Sequence, residues 1–234
     1  MIIEDPRIDP LEWNFALSLS DLEPELIKLA NKECLLSSTY EPSSKTKMKL
    51  RAAPGAGTMY LQSECAEALA ELFAGAEEAG YKLYLKSAYR AYKTQKTMYN
   101  NRLERNNGKD DGWVSKPGAS DHQTGLGCDV VPGSWKDKSM NSNMASTPEC
   151  QWMAEHCYEY GFVIRYPEDK QDITEINYEP WHLRYVGKEV ARYIWRNGLC
   201  LEEFHEQLQV AIDAYLAAGG DARRVEDLIQ TSAE

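Results

Sequence analysis

The chain has 234 residues, a formal net charge of −11 at pH 7, 43% hydrophobic residues and 27% charged residues. This length is enough to bury a full core and to form one domain with an appendage. The negative charge argues against a nucleic-acid partner or an anionic membrane surface, and no apolar run is long enough to span a membrane.

The first part of the chain carries the weakest pattern. Residues 1–10 are acidic and lack the apolar core of a signal peptide, so the chain is either cytoplasmic or lacks its export segment. A short helix is expected over 23–32. Scattered Pro, Ser and Lys over 35–57 predict a loop-rich approach to the main domain.

Helical spacing begins at residue 63. Apolar residues recur at steps of three and four up to Ala76, and Gly80 predicts the end of this helix. Residues 81–87 alternate between two faces, which is typical of a strand. A polar helix over 92–106 follows.

The later segments continue the mixture of helices and extended pieces. The pattern predicts, in order, a Gly/Asp/Pro loop over 108–119, a helix over 148–160 with Thr147 as its N-cap, a short strand over 162–166, a charged turn over 167–174, an extended piece over 177–185 and a helix over 188–197. One helical stripe then follows, formed by Leu201, Phe204, Leu208, Ile212 and Tyr215. The order predicts an α+β fold with a small, mostly antiparallel sheet flanked by helices.

A possible metal site begins with His122 and Asp129, which stand seven positions apart. Imidazole nitrogen and carboxylate oxygen are donors that a divalent metal binds, and the intervening glycines permit a tight turn. On a strand, Cys128 would point away from Asp129 and into the core, so it is not a predicted ligand. By itself such a pair is more often a structural hydrogen bond.

The segment Glu179-Pro180-Trp181-His182 provides a third donor in His182 and a nearby carboxylate. Two histidines and one carboxylate, with one position left to water, are typical of a catalytic zinc site. Glu179 is the candidate base. Because residues three apart on a strand face opposite sides, the backbone must leave the strand between Glu179 and His182.

Arg90 closes a predicted strand within the arrangement Ser87-x-Tyr89-Arg90, with Gln95 following. A fixed guanidinium can bind a carboxylate or stabilise a developing oxyanion. The other two histidines are weaker candidates, since His156 lies within a helix and His205 is explained by a solvated helix face.

These three segments together resemble the VanY-type D-alanyl-D-alanine carboxypeptidases, zinc enzymes of bacterial cell-wall metabolism. The family pattern is Ser-x-Tyr-Arg with a following Gln, then Ser-x-His-x-x-Gly-x-Ala-x-Asp, then Glu-x-Trp-His. All three occur here in the same order, and the similarity covers roughly residues 26–206. One departure is Gly127, which replaces the usual Ala.

The resemblance implies a D,D-peptidase or hedgehog-like fold and assigns the site residues. It implies that one Zn²⁺ is bound by His122, Asp129 and His182, that Glu179 is the base, and that Arg90 engages the substrate. It also places four residues in the substrate pocket: Ser87, Gln95, Ser120 and Tyr166.

We therefore expect a carboxypeptidase that removes the C-terminal D-alanine of D-Ala-D-Ala stem peptides through attack by a zinc-activated hydroxide. The alternatives are an L,D-carboxypeptidase on tetrapeptide stems, a D,D-dipeptidase, an endopeptidase, and a wall-binding module without catalysis. An interaction protein using an exposed apolar stripe over 201–216 is a further alternative. The expected partners are peptidoglycan stem peptides.

The expected organisation is an N-terminal segment over 1–25, a zinc carboxypeptidase domain over 26–206 and a helical extension over 207–234. We expect a monomer. Wall substrates favour a location outside the membrane, whereas the missing export segment would fit a cytoplasmic enzyme that recycles wall peptides.

Overall fold

The computed structural model describes residues 2–4, 16–18 and 21–228. The strands are β1 (Ile2–Glu4), β2 (Ala16–Ser18), β3 (Thr46–Lys47), β4 (Tyr60–Leu61), β5 (Leu83–Ser87), β6 (Gly127–Pro132), β7 (Phe162–Ile164) and β8 (His182–Tyr185). The helices are α1 (Pro24–Ile27), α2 (Ser63–Glu78), α3 (Tyr92–Arg105), α4 (Pro148–His156), α5 (Gln171–Thr174), α6 (Lys188–Asn197) and α7 (Leu201–Ala217). Most of residues 1–10, on which the expectation about an export segment rests, lie outside the described part.

The central sheet has four strands in the order β5-β6-β8-β7, and each neighbouring pair is antiparallel. Two small two-stranded sheets accompany it, a parallel pair of β1 with β2 and an antiparallel pair of β3 with β4. This architecture confirms the predicted α+β class with a mostly antiparallel sheet.

One core lies between this sheet and helices α2 and α4. Helix α2 buries the face that its spacing predicts, with Leu69 and Leu72 fully buried against inward residues of β5 and β6. Cys128 points into the same core, as its place next to Asp129 on a strand predicts. Helix α4 starts after Thr147, whose hydroxyl accepts a hydrogen bond from the Cys150 amide at 3.3 Å.

A second core joins the residues before α1 to helices α6 and α7. The predicted stripe of α7 is buried here from Leu201 to Tyr215, so the apolar surface that an interaction protein would expose is covered within the chain. Helix α7 runs through residue 206 without a break. The domain division stays a prediction, and residues 229–234 lie outside the described part.

Helix α1 is much shorter than the predicted helix over 23–32. The helix ends at Ile27 because the carbonyl oxygens of Leu26 and Lys28 accept hydrogen bonds from the Arg184 guanidinium, both at 2.8 Å. A buried cation that binds backbone oxygens replaces the intrahelical hydrogen bonds there. None of the helices in the described ranges has the length and apolar character that crossing a membrane requires.

Candidate metal centre

The two central strands of the sheet bring distant parts of the chain together. Asp129 on β6 and His182 at the start of β8 are paired directly in the antiparallel register. His122 lies in a short 3₁₀ turn, residues 121–124, that precedes β6. Its carbonyl oxygen accepts a hydrogen bond from the Arg90 amide at 2.9 Å, which ties this turn to the end of β5.

His122, Asp129 and His182 form a buried cluster of potential metal ligands. One donor atom from each lies within 4.8 Å of the others. The Asp129 carboxylate is 3.0 Å from Nδ1 of His182 and 3.4 Å from Nε2 of His122. Two imidazoles and one carboxylate are the donor set of a catalytic zinc site, and they lie close enough together to hold one ion with a coordination position left for water.

The protonation states also suit metal binding. Nδ1 of His122 donates to the carbonyl oxygen of Ala88 at 2.7 Å, which orients the ring and leaves Nε2 facing Asp129. Burial, assisted by the charge of Arg90, lowers the pKa of His122 to about 4. The ring is therefore neutral near pH 7, the form that coordinates a metal.

Glu179 lies just outside the strand that holds His182. The His182 amide donates to the Glu179 carbonyl oxygen at 3.1 Å, and this turn places the Glu179 carboxylate 3.7 Å from Nδ1 of His182. The expected departure from strand geometry is therefore present, since β8 begins only at His182 instead of extending back to residue 177. Burial and the charge of Asp129 raise the pKa of Glu179 well above its usual value, against the opposing effect of Arg90.

Arg90 is held by the two side chains that the motif pairs with it. Its guanidinium donates to Oγ of Ser87 at 3.0 Å and to Oε1 of Gln95 at 2.9 Å. Gln95 is buried and in turn donates to the carbonyl oxygen of Ser115 at 2.6 Å. The guanidinium is thus fixed in orientation before any ligand arrives.

All of the predicted site residues except Ser87 line one cavity of about 440 Å³. Ser87 lies behind Arg90 as its hydrogen-bond partner. Ser120 and Tyr166 are both buried in this lining, and the Tyr166 ring centroid is 5.1 Å from that of His182.

The sequence did not point to several further lining residues, namely Met98, Arg102, Trp113, Val114, Ser115, Met140 and Asn141. Met98 and Arg102 could have been found, because they share a face of α3 with Gln95 at helical spacing. Trp113, which stacks on Trp181 at 6.4 Å, comes from a loop with no recognisable pattern.

The interpretation of His205 as a residue on a solvated face is wrong. Its Nε2 donates to the carbonyl oxygen of Ile27 at 2.6 Å, and burial lowers its pKa to about 4. His205 is half-buried, and the neighbouring Glu202 is buried. Both residues belong to the contact between α7 and the segment around α1.

Residues 58–188 match the VanY family, described as D-alanyl-D-alanine carboxypeptidase. The chain belongs to the VanY family. A relative in this group is the putative carboxypeptidase YodJ of Bacillus subtilis, which is 38% identical over 187 residues, 79% of this chain and 68% of the relative. The chain spans about half the length of two enterococcal D-alanyl-D-alanine carboxypeptidases that it also matches, 52% and 46%.

Solved structures of VanY-like enzymes share the fold. The LdcB LD-carboxypeptidase superposes with a TM-score of 0.73 at 40% identity, covering 78% of this chain and 87% of that one. A vancomycin-resistance D,D-pentapeptidase VanY variant in complex with Zn(II) gives a TM-score of 0.64 at 28% identity, covering 77% and 98%. Zinc is therefore the metal that the comparisons support for this donor set.

Proposed function

We propose that this chain is a zinc-dependent carboxypeptidase that removes the C-terminal D-alanine from peptidoglycan stem peptides ending in D-Ala-D-Ala. The observation that carries the proposal is one cavity in which three buried donor residues, a carboxylate of raised pKa and a fixed guanidinium meet. His122, Asp129 and His182 would hold the ion. A bound zinc ion would supply a Lewis acid and lower the pKa of a water molecule to about 7.

Glu179 would move the proton. Its carboxylate accepts a proton from the attacking water and delivers it to the departing amine nitrogen. The raised pKa favours this role, because the group can hold the proton between these two events. The nearby Asp129, with a pKa held well below its usual value by the two imidazoles despite burial, stays ionised and keeps a distinct role.

Arg90 would select a free C-terminus. Its guanidinium is oriented by Ser87 and Gln95 and faces the cavity that Glu179 lines, so it can bind the terminal carboxylate of a peptide or the negative charge that develops at the scissile carbonyl. A fixed carboxylate-binding group supports a carboxypeptidase over an endopeptidase or a module without catalysis.

A second candidate is an L,D-carboxypeptidase that removes D-alanine from tetrapeptide stems. The likeness to LdcB at 40% identity favours it. Both reactions use the same groups and differ in the residue before the scissile bond.

The test is mass spectrometry of two stem peptides incubated with zinc-loaded protein, with and without a chelator. One peptide ends in D-Ala-D-Ala, and the other ends in L-Lys-D-Ala or its diaminopimelate equivalent. Loss of one alanine that chelation abolishes would support the proposal, and the cleaved peptide would identify the linkage. A zinc-bound protein that cleaves neither peptide would contradict it.

We further propose that the protein is a monomer that acts outside the membrane. The burial of the α7 stripe supports the first point, since that apolar surface is covered within one chain. The wall substrate supports the second. Light scattering would test the oligomeric state, and fractionation of the producing cells would distinguish an external enzyme from a cytoplasmic one that recycles wall peptides.

A further inference from the structure

Four charged side chains that the proposed chemistry does not use lie buried beside the metal centre. Asp121 and Arg184 have no exposed surface, Arg165 is 1% exposed and Glu202 is 8% exposed. Two cations and two anions balance in charge. Such a group is costly to bury, and removal of one member leaves an uncompensated charge, so its presence calls for a physical explanation.

Asp121 is the centre of this group, which we call the buried ion network. One carboxylate oxygen of Asp121 accepts from Nε of Arg165 at 2.6 Å, and the other accepts from Arg184. Arg165 uses its two remaining nitrogens to bind Glu202 at 2.8 and 2.6 Å. The network therefore runs from the first turn of α7 to the turn that carries His122.

Each proposed metal ligand has a backbone connection to this network. His122 directly follows Asp121. The carbonyl oxygen of His182 accepts from the Arg165 amide at 3.0 Å. Arg184 lies two residues after His182 on β8 and is paired with Gly127, two residues before Asp129 on β6.

Asp121 packs closely against the backbone of β6. A Cβ placed on Gly127 would lie 2.9 Å from both the backbone carbon and the Cβ of Asp121. Real side chains do not approach so closely, so the turn of Asp121 sits directly on the backbone of β6.

We propose that Asp121 is a positioning residue for the metal site, and that Glu202 acts on the same site through Arg165 and Asp121. The inference rests on the proposed function, because it presumes that His122, Asp129 and His182 bind zinc. Asp121 is not one of the three donor residues. It acts by fixing the backbone from which the donors extend, and small displacements of such groups weaken metal binding and catalysis strongly.

The test compares Asp121→Asn and Glu202→Gln with the control Gln207→Leu. Gln207 lies on α7 and accepts from the Tyr193 hydroxyl at 2.6 Å, so its loss weakens the attachment of α7 without altering the ion network. Zinc affinity is measured by competition with a chromogenic chelator. The visible spectrum of the Co(II)-substituted protein reports the ligand geometry, and thermal unfolding of the metal-free proteins reports stability.

We expect Asp121→Asn to weaken zinc binding by about 10- to 100-fold and to change the Co(II) spectrum. Glu202→Gln should weaken zinc binding and change the Co(II) spectrum in the same direction, but by less. If Asp121→Asn does not fold, Glu202→Gln serves as the test in its place. Gln207→Leu should lower the unfolding temperature and leave zinc affinity and spectrum unchanged.

Two results would overturn the inference while leaving the proposed function intact. Wild-type zinc affinity and spectrum in Asp121→Asn or, if that variant does not fold, in Glu202→Gln would show that the network only stabilises the fold. Equal losses in Glu202→Gln and Gln207→Leu would show that zinc binding merely follows general stability. A wild-type protein that binds no zinc would instead reject the proposed metal site, and this inference with it.

Discussion

Replacement of Glu179 by Gln tests the proposed base with the smallest change in shape. The amide cannot accept the proton, and among the carboxylates that line the cavity only Asp129 remains, which is a proposed ligand. No other carboxylate of the lining can take over, so the full contribution of a general base should be lost. That contribution is about 10²- to 10⁴-fold in kcat, or roughly 3 to 5 kcal/mol of activation free energy.

The assay has three measurements on the same preparation. Alanine release from stem peptides gives kcat and KM, metal analysis gives zinc per chain, and thermal unfolding in chelator gives the stability of the metal-free protein. Zinc content should remain at one ion, because the three donor residues are unchanged. Asp129→Asn is the matched comparison, since it should lose zinc as well as turnover.

The Glu179→Gln substitution should raise the stability of the metal-free protein although it lowers activity. The pKa of Glu179 is higher in the folded chain than its usual value near 4.3, so its ionisation destabilises the metal-free fold increasingly as pH rises above about 4. Gln is neutral throughout, so the variant should unfold at a higher temperature than wild type, by a margin that grows with pH. Turnover within a few-fold of wild type would refute the assignment of Glu179 as the base. If the difference in unfolding temperature between the variant and wild type did not change with pH, the electrostatic reasoning would be refuted.

Four further predictions use other parts of the molecule. Arg90→Lys removes the planar guanidinium that Ser87 and Gln95 orient, so kcat/KM should fall about 10- to 100-fold with zinc content unchanged. An unchanged KM would argue against binding of the substrate carboxylate by Arg90. Chelation should abolish cleavage and lower the unfolding temperature, and zinc should restore both; a melting temperature indifferent to zinc would contradict the site. Because the folded pKa of His205 is about 4 and the unfolded value about 6.5, stability should decrease as pH falls between them, by at most about 3 kcal/mol. His205→Gln should flatten that acid slope in urea titrations, and the same slope in both proteins would place its origin elsewhere. Gly127→Ala forces a Cβ to 2.9 Å from Asp121 and should weaken zinc binding; a wild-type affinity would show that the turn can yield.

The sequence alone identified the groups that carry the proposed chemistry. Short motifs around His122 and His182 contain a combination of side-chain types that few other functions require. Such motifs can be recognised in the sequence without knowledge of the fold. Helices α2, α6 and α7 were also predictable, because each buries one face and apolar periodicity records which face that is. The α+β class followed from the order of these elements.

Tertiary structure decided everything that depends on contacts between distant residues. Helix α1 is short because Arg184, 158 positions away from Leu26, takes its carbonyl oxygen. His205 and Glu202 look solvated from their neighbours in sequence, yet Glu202 is buried and the half-buried His205 is hydrogen-bonded to Ile27 in α1. The buried ion network has no recognisable sequence pattern. From the sequence alone, a charged residue that is buried cannot be distinguished from one on the surface, because its partner lies far away in the chain. Only the pairing of β6 with β8 reveals that these charges stand directly behind the metal centre.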